Sequence, residues 1–418
     1  MSFKTYSLKE IIKYARTNSK YYADLYKDIP EDAELEELPL VVQSDFWANC
    51  DKHGGTVATA KQVDGQIFKS GGTTGDPKYS LYTAEEWATM CECSGAVLAK
   101  GGLTNGMKIA NLFYAGGMYA SFLYTYSMLY FAPAKTIMYN LSGNIDIEEM
   151  VTTIHDHQIT CIAGVPSILM RIISYIEENN LTGFAVDTVY FAGETLYMDQ
   201  RERMAKVLGN ELEFRSIFYA SNDGGPIGYF TQDCGFNEHR VMSDLCIMEL
   251  IDPDTGEVIR EAGKPGVIYI TSLFKALIPL IRYPAGDMGE YVEPEGVADR
   301  KFRILGRSDV AARAGYVTIY PSDIGNVLKK CGIDYYAYQI IVSRDTKDKF
   351  TFRIAVPSEC GEKETEQFLQ ELYKERTLML DAITDGTVYV PEIEWCKASD
   401  LEYNKRTGKL KVIIDNRR

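Results

Sequence analysis

A large layered α/β domain with an antiparallel β subdomain, followed by a small α+β C-terminal domain, is the fold class that this sequence predicts. Three observations predict it. Residues 145–191 alternate between helical and strand periodicity, as helices packed on a substantial sheet require. From Met248 the texture shifts to short β-rich runs between turn signals. Residues 310–418 then combine short strand runs with a helix at 363–376. At 418 residues the chain is long for one domain and ample for two or three. The division is expected near Gly306-Arg307-Ser308-Asp309: residues 1–308 form the first domain, its β-rich part at about 240–305, and residues 309–418 the second.

In chain order, Leu8, Ile11, Ile12, Ala15, Tyr22, Leu25 and Tyr26 predict one amphipathic helix over 8–26. A second helix starts at Ser44 or Asp45. Residues 84–99 read as a helix, and Gly101-Gly102 and Asn105-Gly106 punctuate the chain before a strand at 108–113. Helices at 147–155 and 166–178 alternate with strands at 159–163 and 188–191. Strands at 248–252 and 266–270 flank the turn signal Asp252-Pro253-Asp254-Thr255-Gly256. The C-terminal part carries strands at 339–343, 350–356, 385–390 and 393–397.

Composition excludes several classes. Hydrophobic residues make up 46% and charged residues 25% of the chain, ordinary for a soluble globular protein. A formal charge of −15 argues against a general grip on nucleic acid, which needs clustered Lys and Arg. Nine scattered cysteines without a Cys-x-x-Cys pair point to free thiols in a reducing compartment. Residues 1–30 lack an apolar signal segment. The most apolar stretch, 118–134, is short and broken by Ser121, Thr125, Ser127 and four tyrosines. A cytoplasmic location without membrane contact is the expectation.

The residues that carry chemistry fall in separated segments. Ser70-Gly71-Gly72-Thr73-Thr74-Gly75 packs three glycines and three hydroxyls ahead of Asp76, Pro77 and Lys78. Glycines let backbone N–H groups face an anion, hydroxyls add donors, and an ammonium reaches a phosphate as a point charge. A Walker A loop does not fit, since Asp76-Pro77 separate Gly75 from Lys78 and Tyr79 follows. Taken alone, the cluster also reads as a surface turn. Phe191-Ala192-Gly193-Glu194-Thr195 ends a strand, where ligands gather in open α/β sheets, or simply turns into the next helix. In Tyr219-Ala220-Ser221-Asn222-Asp223 an aromatic ring can stack on a base and an acid can hold Mg²⁺ on phosphate oxygens. An Asx-type turn is the plainer reading. Asp287 of Tyr283-Pro284-Ala285-Gly286-Asp287 is a natural bidentate acceptor for vicinal ribose hydroxyls. Tyr114, Gly116, Gly117 and Tyr119 are candidates for a pocket around a flat substrate, or else an aromatic core. Cys234, His239 and Cys246 offer three ligands for a structural zinc in a spacing that matches no finger.

Together these segments resemble the signatures of the adenylate-forming (acyl-CoA synthetase, AMP-binding) superfamily, in particular its phenylacetate-CoA ligase branch, over nearly the whole chain. Ser70–Lys78 resembles the family's Ser-Ser-Gly-Thr-Thr-Gly-x-Pro-Lys loop, and Tyr219–Asp223 its Tyr-Gly-x-Thr/Ser-Glu segment. Tyr283–Asp287 resembles Tyr-Arg-Thr-Gly-Asp, and Lys405-Arg406-Thr407-Gly408-Lys409 its C-terminal lysine motif. The resemblance implies activation of a small, aromatic carboxylic acid by MgATP through an acyl-adenylate. Transfer to the thiol of coenzyme A follows, after the C-terminal domain swings about Asp309. It further implies Lys409, Asp223 and Lys78 as catalytic residues. Contacts to ATP or AMP are implied for Ser70 to Gly75, Gly193, Glu194, Thr195, Tyr219 to Asn222, Asp287 and Arg307. Relatives make a homodimer plausible. The sequence departs from the family at Asp223, where Glu is usual, at Asn222, and at Arg313-Ala314-Gly315-Tyr316, where Arg-Gly is usual. A carrier-protein thiol or an amine is the alternative acceptor, and a non-catalytic ATP-binding scaffold the alternative outside enzymology.

Overall fold

The computed structural model describes residues 4–69, 78–209, 211–221, 223–306, 311–404 and 408–417. Its centre is a parallel five-stranded sheet in the order Ile137–Tyr139, Lys108–Asn111, Cys161–Gly164, Thr188–Phe191, Glu213–Ser216. The strands Cys161–Gly164 and Thr188–Phe191 are buried along their whole length, as a sheet covered on both faces demands. Helices Ala84–Lys100, Ile147–Asp156, Pro166–Glu178 and Met198–Leu208 share one apolar cluster with it. Their starts are set locally. Thr83 and Glu86 close a capping box, Asp146 accepts from Glu148 N–H, and Pro166 occupies the first turn of its helix, each satisfying or removing an orphan donor.

An eight-stranded antiparallel sheet follows, in the order Val258–Ile259, Cys246–Ile251, Gly266–Ser272, Tyr283–Tyr291, Lys301–Gly306, Glu238–Val241, Gly225–Tyr229, Phe218–Ser221. Its first members lie well before Met248, where strand texture begins in the sequence. The N-terminal helices pack on this sheet, with Ile12, Ala15, Tyr22 and Tyr26 in one cluster with Ile268, Ile270 and Tyr283. The expected single helix over 8–26 is two, Leu8–Asn18 and Lys20–Leu25. Ser19 breaks it: its extended backbone cannot propagate a helix, and its side chain caps the next one by accepting from Tyr22 N–H.

The C-terminal part holds a mixed four-stranded sheet, Glu392–Cys396, Asp348–Ala355, Ala337–Arg344, Ile413–Asp415, with helices Pro321–Cys331 and Glu362–Glu375 around its own apolar cluster. The strand expected at 385–390 does not form. Residues Leu378–Thr384 are helical, Asp385 is the C-cap, and Gly386 turns with φ +77°. Only Val388 then makes an isolated bridge, to Asp348. Among the described residues no helix is long and apolar enough to cross a membrane.

Candidate active site

Three strand ends assemble the site. Ile217 N–H donates to Phe191 O at 2.8 Å, so the segments after Phe191 and after Ser216 leave the carboxyl ends of adjacent parallel strands. Ligands bind at such ends in open α/β sheets. One residue, Ile217, separates the second strand from Phe218–Ser221, the edge strand of the antiparallel sheet. The two sheets therefore meet where Gly193, Tyr219 and Ala220 lie.

At the first strand end Gly193 has φ +84°, and a Cβ there would stand 3.0 Å from both Cε and Nζ of Lys409. The C-terminal lysine is thus laid against the Gly193 backbone, 216 residues away in sequence. Its neighbours hold the loop. Glu194 Oε1 accepts from Leu410 N–H at 3.0 Å, and Glu194 Oε2 accepts from Ser167 N–H at 2.9 Å and Ser167 Oγ–H at 2.5 Å. Burial raises the Glu194 carboxyl above its ordinary pKa, against the Ser167 hydroxyl and the Lys409 charge, which favour the ionised form. Gly408 has φ +67° and lies on the ring of Tyr114, which overlaps the place of any side chain there. Tyr114 Oη in turn accepts from Arg171 Nη1 at 3.4 Å. Tyr114 is buried and forms a wall against the lysine loop. Gly116 and Gly117 turn with φ +88° and +56°, and Tyr119 N–H closes the turn on Gly116 O at 3.0 Å.

On the antiparallel side, Tyr219 Oη donates to Asp287 Oδ2 at 2.7 Å. Asp287 and Tyr283 share one strand, and Tyr283 Oη donates to Asp223 Oδ2 at 2.8 Å while accepting from Trp47 Nε1–H at 2.8 Å. The Lys78 ammonium stands 5.5 Å from the centroid of the Trp47 ring, within cation–π range. One continuous chain of contacts therefore links Lys78, Trp47, Tyr283 and Asp223. Burial pushes the Tyr283 hydroxyl far above its ordinary pKa, with the Asp223 charge adding to it. Ser221 Oγ accepts from Gly224 N–H at 2.8 Å and shapes the turn carrying Asp223. Strands Gln66–Lys69 and Tyr79–Tyr82 pair antiparallel with Lys69 opposite Tyr79, which brings the two ends of the Gly/Ser/Thr segment side by side.

Ser70, Gly71, Gly72, Thr73, Thr74, Gly75, Asn222, Arg307 and Asp309 lie outside the described residues. Of the others, the structure gathers Gly193, Glu194, Tyr114 and Lys409 into one group. Tyr219, Asp223, Asp287 and Lys78 fall into a second, beginning one strand away. The zinc expectation is corrected. Cys234 Sγ pairs with Thr231 Oγ1, His239 Nε2 with Ser216 Oγ at 2.8 Å, and Cys246 Sγ with Ile227 O. Each potential ligand is committed to a different neighbour, and no metal-competent His/Cys/Asp/Glu cluster exists among the described residues.

Sequence reasoning missed Ser167, Trp47, Tyr283 as a hydrogen-bonding residue, and Lys275. Lys275 is fully buried, donates to Asp223 O at 2.6 Å and sits 4.0 Å from the Tyr82 ring centroid. Burial lowers its pKa to about 8, with Glu86 and Asp223 opposing. A lysine inside the apolar run 273–281 was the signal available for it. Ser167 and Trp47 carry no pattern that sequence alone would single out.

The chain is similar to known proteins. The family model described as AMP-binding enzyme matches residues 65–274, half of the chain. Over 385 residues the chain is 25% identical to the phenylacetate-coenzyme A ligase of Thermus thermophilus, covering 88% of this chain and 82% of the relative. The phenylacetate-coenzyme A ligase of Aromatoleum evansii is 24% identical over 427 residues, covering 98% and 93%. Among solved structures, 2-hydroxyisobutyryl-CoA ligase in its postadenylation state aligns at TM-score 0.77 and 17% identity, covering 98% of this chain and 88% of that one. The same ligase in its thioesterification state aligns at 0.64. Half of the sequence, including the Gly193, Tyr219 and Asp223 strand ends, matches that family model, and the chain belongs to the AMP-binding enzymes.

Proposed function

We propose that this chain is an AMP-forming acid–thiol ligase that makes acyl-CoA thioesters, as a phenylacetate-CoA ligase does. A carboxylate oxygen of a small, aromatic acid attacks the α-phosphorus of ATP, pyrophosphate leaves, and an acyl-adenylate remains. The thiol of coenzyme A then attacks the acyl carbon, and AMP leaves. Neither step needs a protein nucleophile, so positioning and charge stabilisation supply the rate. The observation that carries the reading is the placement of Lys409 on Gly193 at the carboxyl end of the parallel sheet. A cation delivered there from the C-terminal part can stabilise charge on the carboxylate and α-phosphate.

The other roles are those that the family resemblance implies. Asp287, oriented by Tyr219, takes the ribose hydroxyls. Gly193, Glu194, Thr195 and Tyr219 to Asn222 surround the adenosine, and Ser70 to Gly75 with Lys78 take the phosphates. Arg307 approaches the ribose-phosphate, and Asp309 is the hinge between residues 1–308 and 309–418. Tyr114, Gly116, Gly117 and Tyr119 line the acid. Magnesium binds through one or two carboxylates plus nucleotide phosphates rather than in an all-protein cage. Asp223, with one oxygen fixed by Tyr283 and no surrounding acid cluster among the described residues, fits that requirement. When bound, the ion offsets phosphate charge. A cytoplasmic location and a homodimer belong to the same proposal; the nine free thiols support the first, and the second rests on the resemblance.

Carboxylate-dependent ATP–pyrophosphate exchange over a panel of aryl and arylacetic acids tests the reading. We expect exchange with at least one acid, AMP and thioester formation only when coenzyme A is added, and loss of exchange in Lys409→Ala. Exchange without thioester formation would assign a carrier-protein or amine acceptor instead. No exchange with any acid would leave an ATP-binding scaffold.

A further inference from the structure

We propose that Ser167 and Glu194 form a docking clamp that positions Lys409 by holding the main chain of Leu410. The inference rests on the ligase reading for its functional meaning, and on geometry for the clamp itself. Leu410 N–H is shared between Ser167 Oγ at 3.1 Å and Glu194 Oε1 at 3.0 Å. Those two acceptors are locked to each other through Glu194 Oε2. Ser167 sits in the first turn of helix Pro166–Glu178, whose orphan N–H groups need an acceptor. Glu194 supplies it from the neighbouring strand end, so the clamp is anchored on two rigid elements.

The clamp's hydrogen bonds grip the main chain of the residue next to the catalytic lysine, and the Lys409 charge acts on Glu194 as well. Within the loop, Asn404 N–H donates to Lys409 O and Gly408 N–H to Asn404 O, both at 2.8 Å, and Lys411 N–H to Glu402 O at 3.0 Å. Leu410 N–H is thus a backbone donor of the hairpin end spent on the parallel-sheet domain. A loop that closes its own bonds can leave and return as a unit. Its departure breaks the shared Leu410 bond, the Gly408 contact with Tyr114 and the placement of Lys409 on Gly193. Ser167 and Glu194 are therefore positioning residues for Lys409 in the adenylating arrangement, and their hold on Leu410 ends once the C-terminal part has swung away.

Hydrogen–deuterium exchange on the full chain without ligand tests the clamp. Ser167→Ala and Glu194→Gln are each expected to speed exchange in a peptide covering residues 408–411 by about five- to tenfold, the loss of one modest hydrogen bond. Exchange in strand Ala337–Arg344 should stay at the wild-type rate. Unchanged exchange at 408–411 in both variants overturns the proposal. A half-reaction split adds the functional readout, with phenylacetate as the probe acid. Ser167→Ala should lower phenylacetate-dependent ATP–pyrophosphate exchange by about five- to tenfold and leave thioester formation from supplied phenylacetyl-adenylate and coenzyme A unchanged. Equal loss in both halves overturns the positioning role. A wild-type chain that exchanges with no acid defeats the ligase reading, while the exchange at 408–411 still decides the clamp.

Discussion

Gly193 and His239 show how single positions are constrained from opposite directions. At Gly193 the limit is space outside the backbone. A Cβ would press on Lys409, and φ +84° lies in the region that costs a side-chain-bearing residue roughly 1–2 kcal/mol. Gly193 is exposed, and the atoms met are the far end of a flexible lysine. The lysine therefore yields before the fold does. Gly193→Ala should lower the adenylation rate by more than about tenfold, equivalent to ~1.4 kcal/mol of transition-state stabilisation. Its stability in urea should fall by only about 1–2 kcal/mol. Comparable loss of fold and rate would place the effect in packing instead. At His239 the limit is water. The ring is buried against Phe302 and Tyr219, and burial lowers its pKa to about 4 from the ordinary 6.5. Between those values the unfolded chain binds the proton and the folded chain does not, so stability rises with pH through the window and falls on acidification. The contribution is fully present above pH 6.5, and about 3 kcal/mol of it is lost by pH 4. Urea titrations between pH 7 and 4 should show His239→Gln losing less stability than the wild type; parallel curves would remove the histidine from the account.

Helix Leu8–Asn18 and its successor Lys20–Leu25 raise the same question for elements: what ends one and begins the next. Ser19 is buried, its hydroxyl oxygen accepts from Tyr22 N–H at 3.4 Å and its Oγ donates to Thr56 O at 3.2 Å. Ser19→Ala should cost about 1 kcal/mol, the value of a capping side chain, measurable as a shift in the urea midpoint at constant slope. No shift would mean that tertiary packing alone bends the chain here. Elements with strong local punctuation were legible from the residues. Thr83 with Glu86 and Pro166 fix helix starts at Ala84 and Pro166, where the periodicity puts them. The strand Thr188–Phe191 stands where its apolar run predicts. Elements held together by distant partners were not. Strand Gly225–Tyr229 reads weakly because of Gly225, Pro226 and Gly228, yet a side chain at 228 would meet the Phe302 ring at 2.7 Å. The glycine serves packing across the sheet, and no local pattern reports that. The site divides similarly. Asp287, Tyr219 and Lys409 stand out as residue types in short motifs. Ser167 and Trp47 act through partners as far as 243 and 236 residues away, a separation that periodicity cannot see.

The whole molecule places a polyanionic substrate chemistry on a polyanionic protein. The chain carries a formal charge of −15, while ATP, pyrophosphate and coenzyme A are all strongly negative. The cations proposed for the site, Lys78, Lys409 and Arg307, are few and act at short range, whereas the net charge acts over the whole approach. At a Debye length of about 10 Å in 0.1 M salt the surface repulsion is largely screened, but contacts between Lys409 and a bound phosphate inside the cleft are screened much less. Added salt should therefore raise the association rate of ATP rather than lower it, the reverse of the behaviour of proteins that steer nucleotides with basic surfaces. Stopped-flow binding of a fluorescent ATP analogue between 20 and 200 mM NaCl is expected to show an increase of roughly two- to threefold in the association rate, with a smaller change in the dissociation rate. A monotonic fall would mean that the local field of the lysines outweighs the acidic exterior. Reversing two exposed acids, Glu85→Lys and Asp64→Lys, should then leave the rate unchanged, whereas under net repulsion the same pair raises the low-salt rate toward its high-salt value.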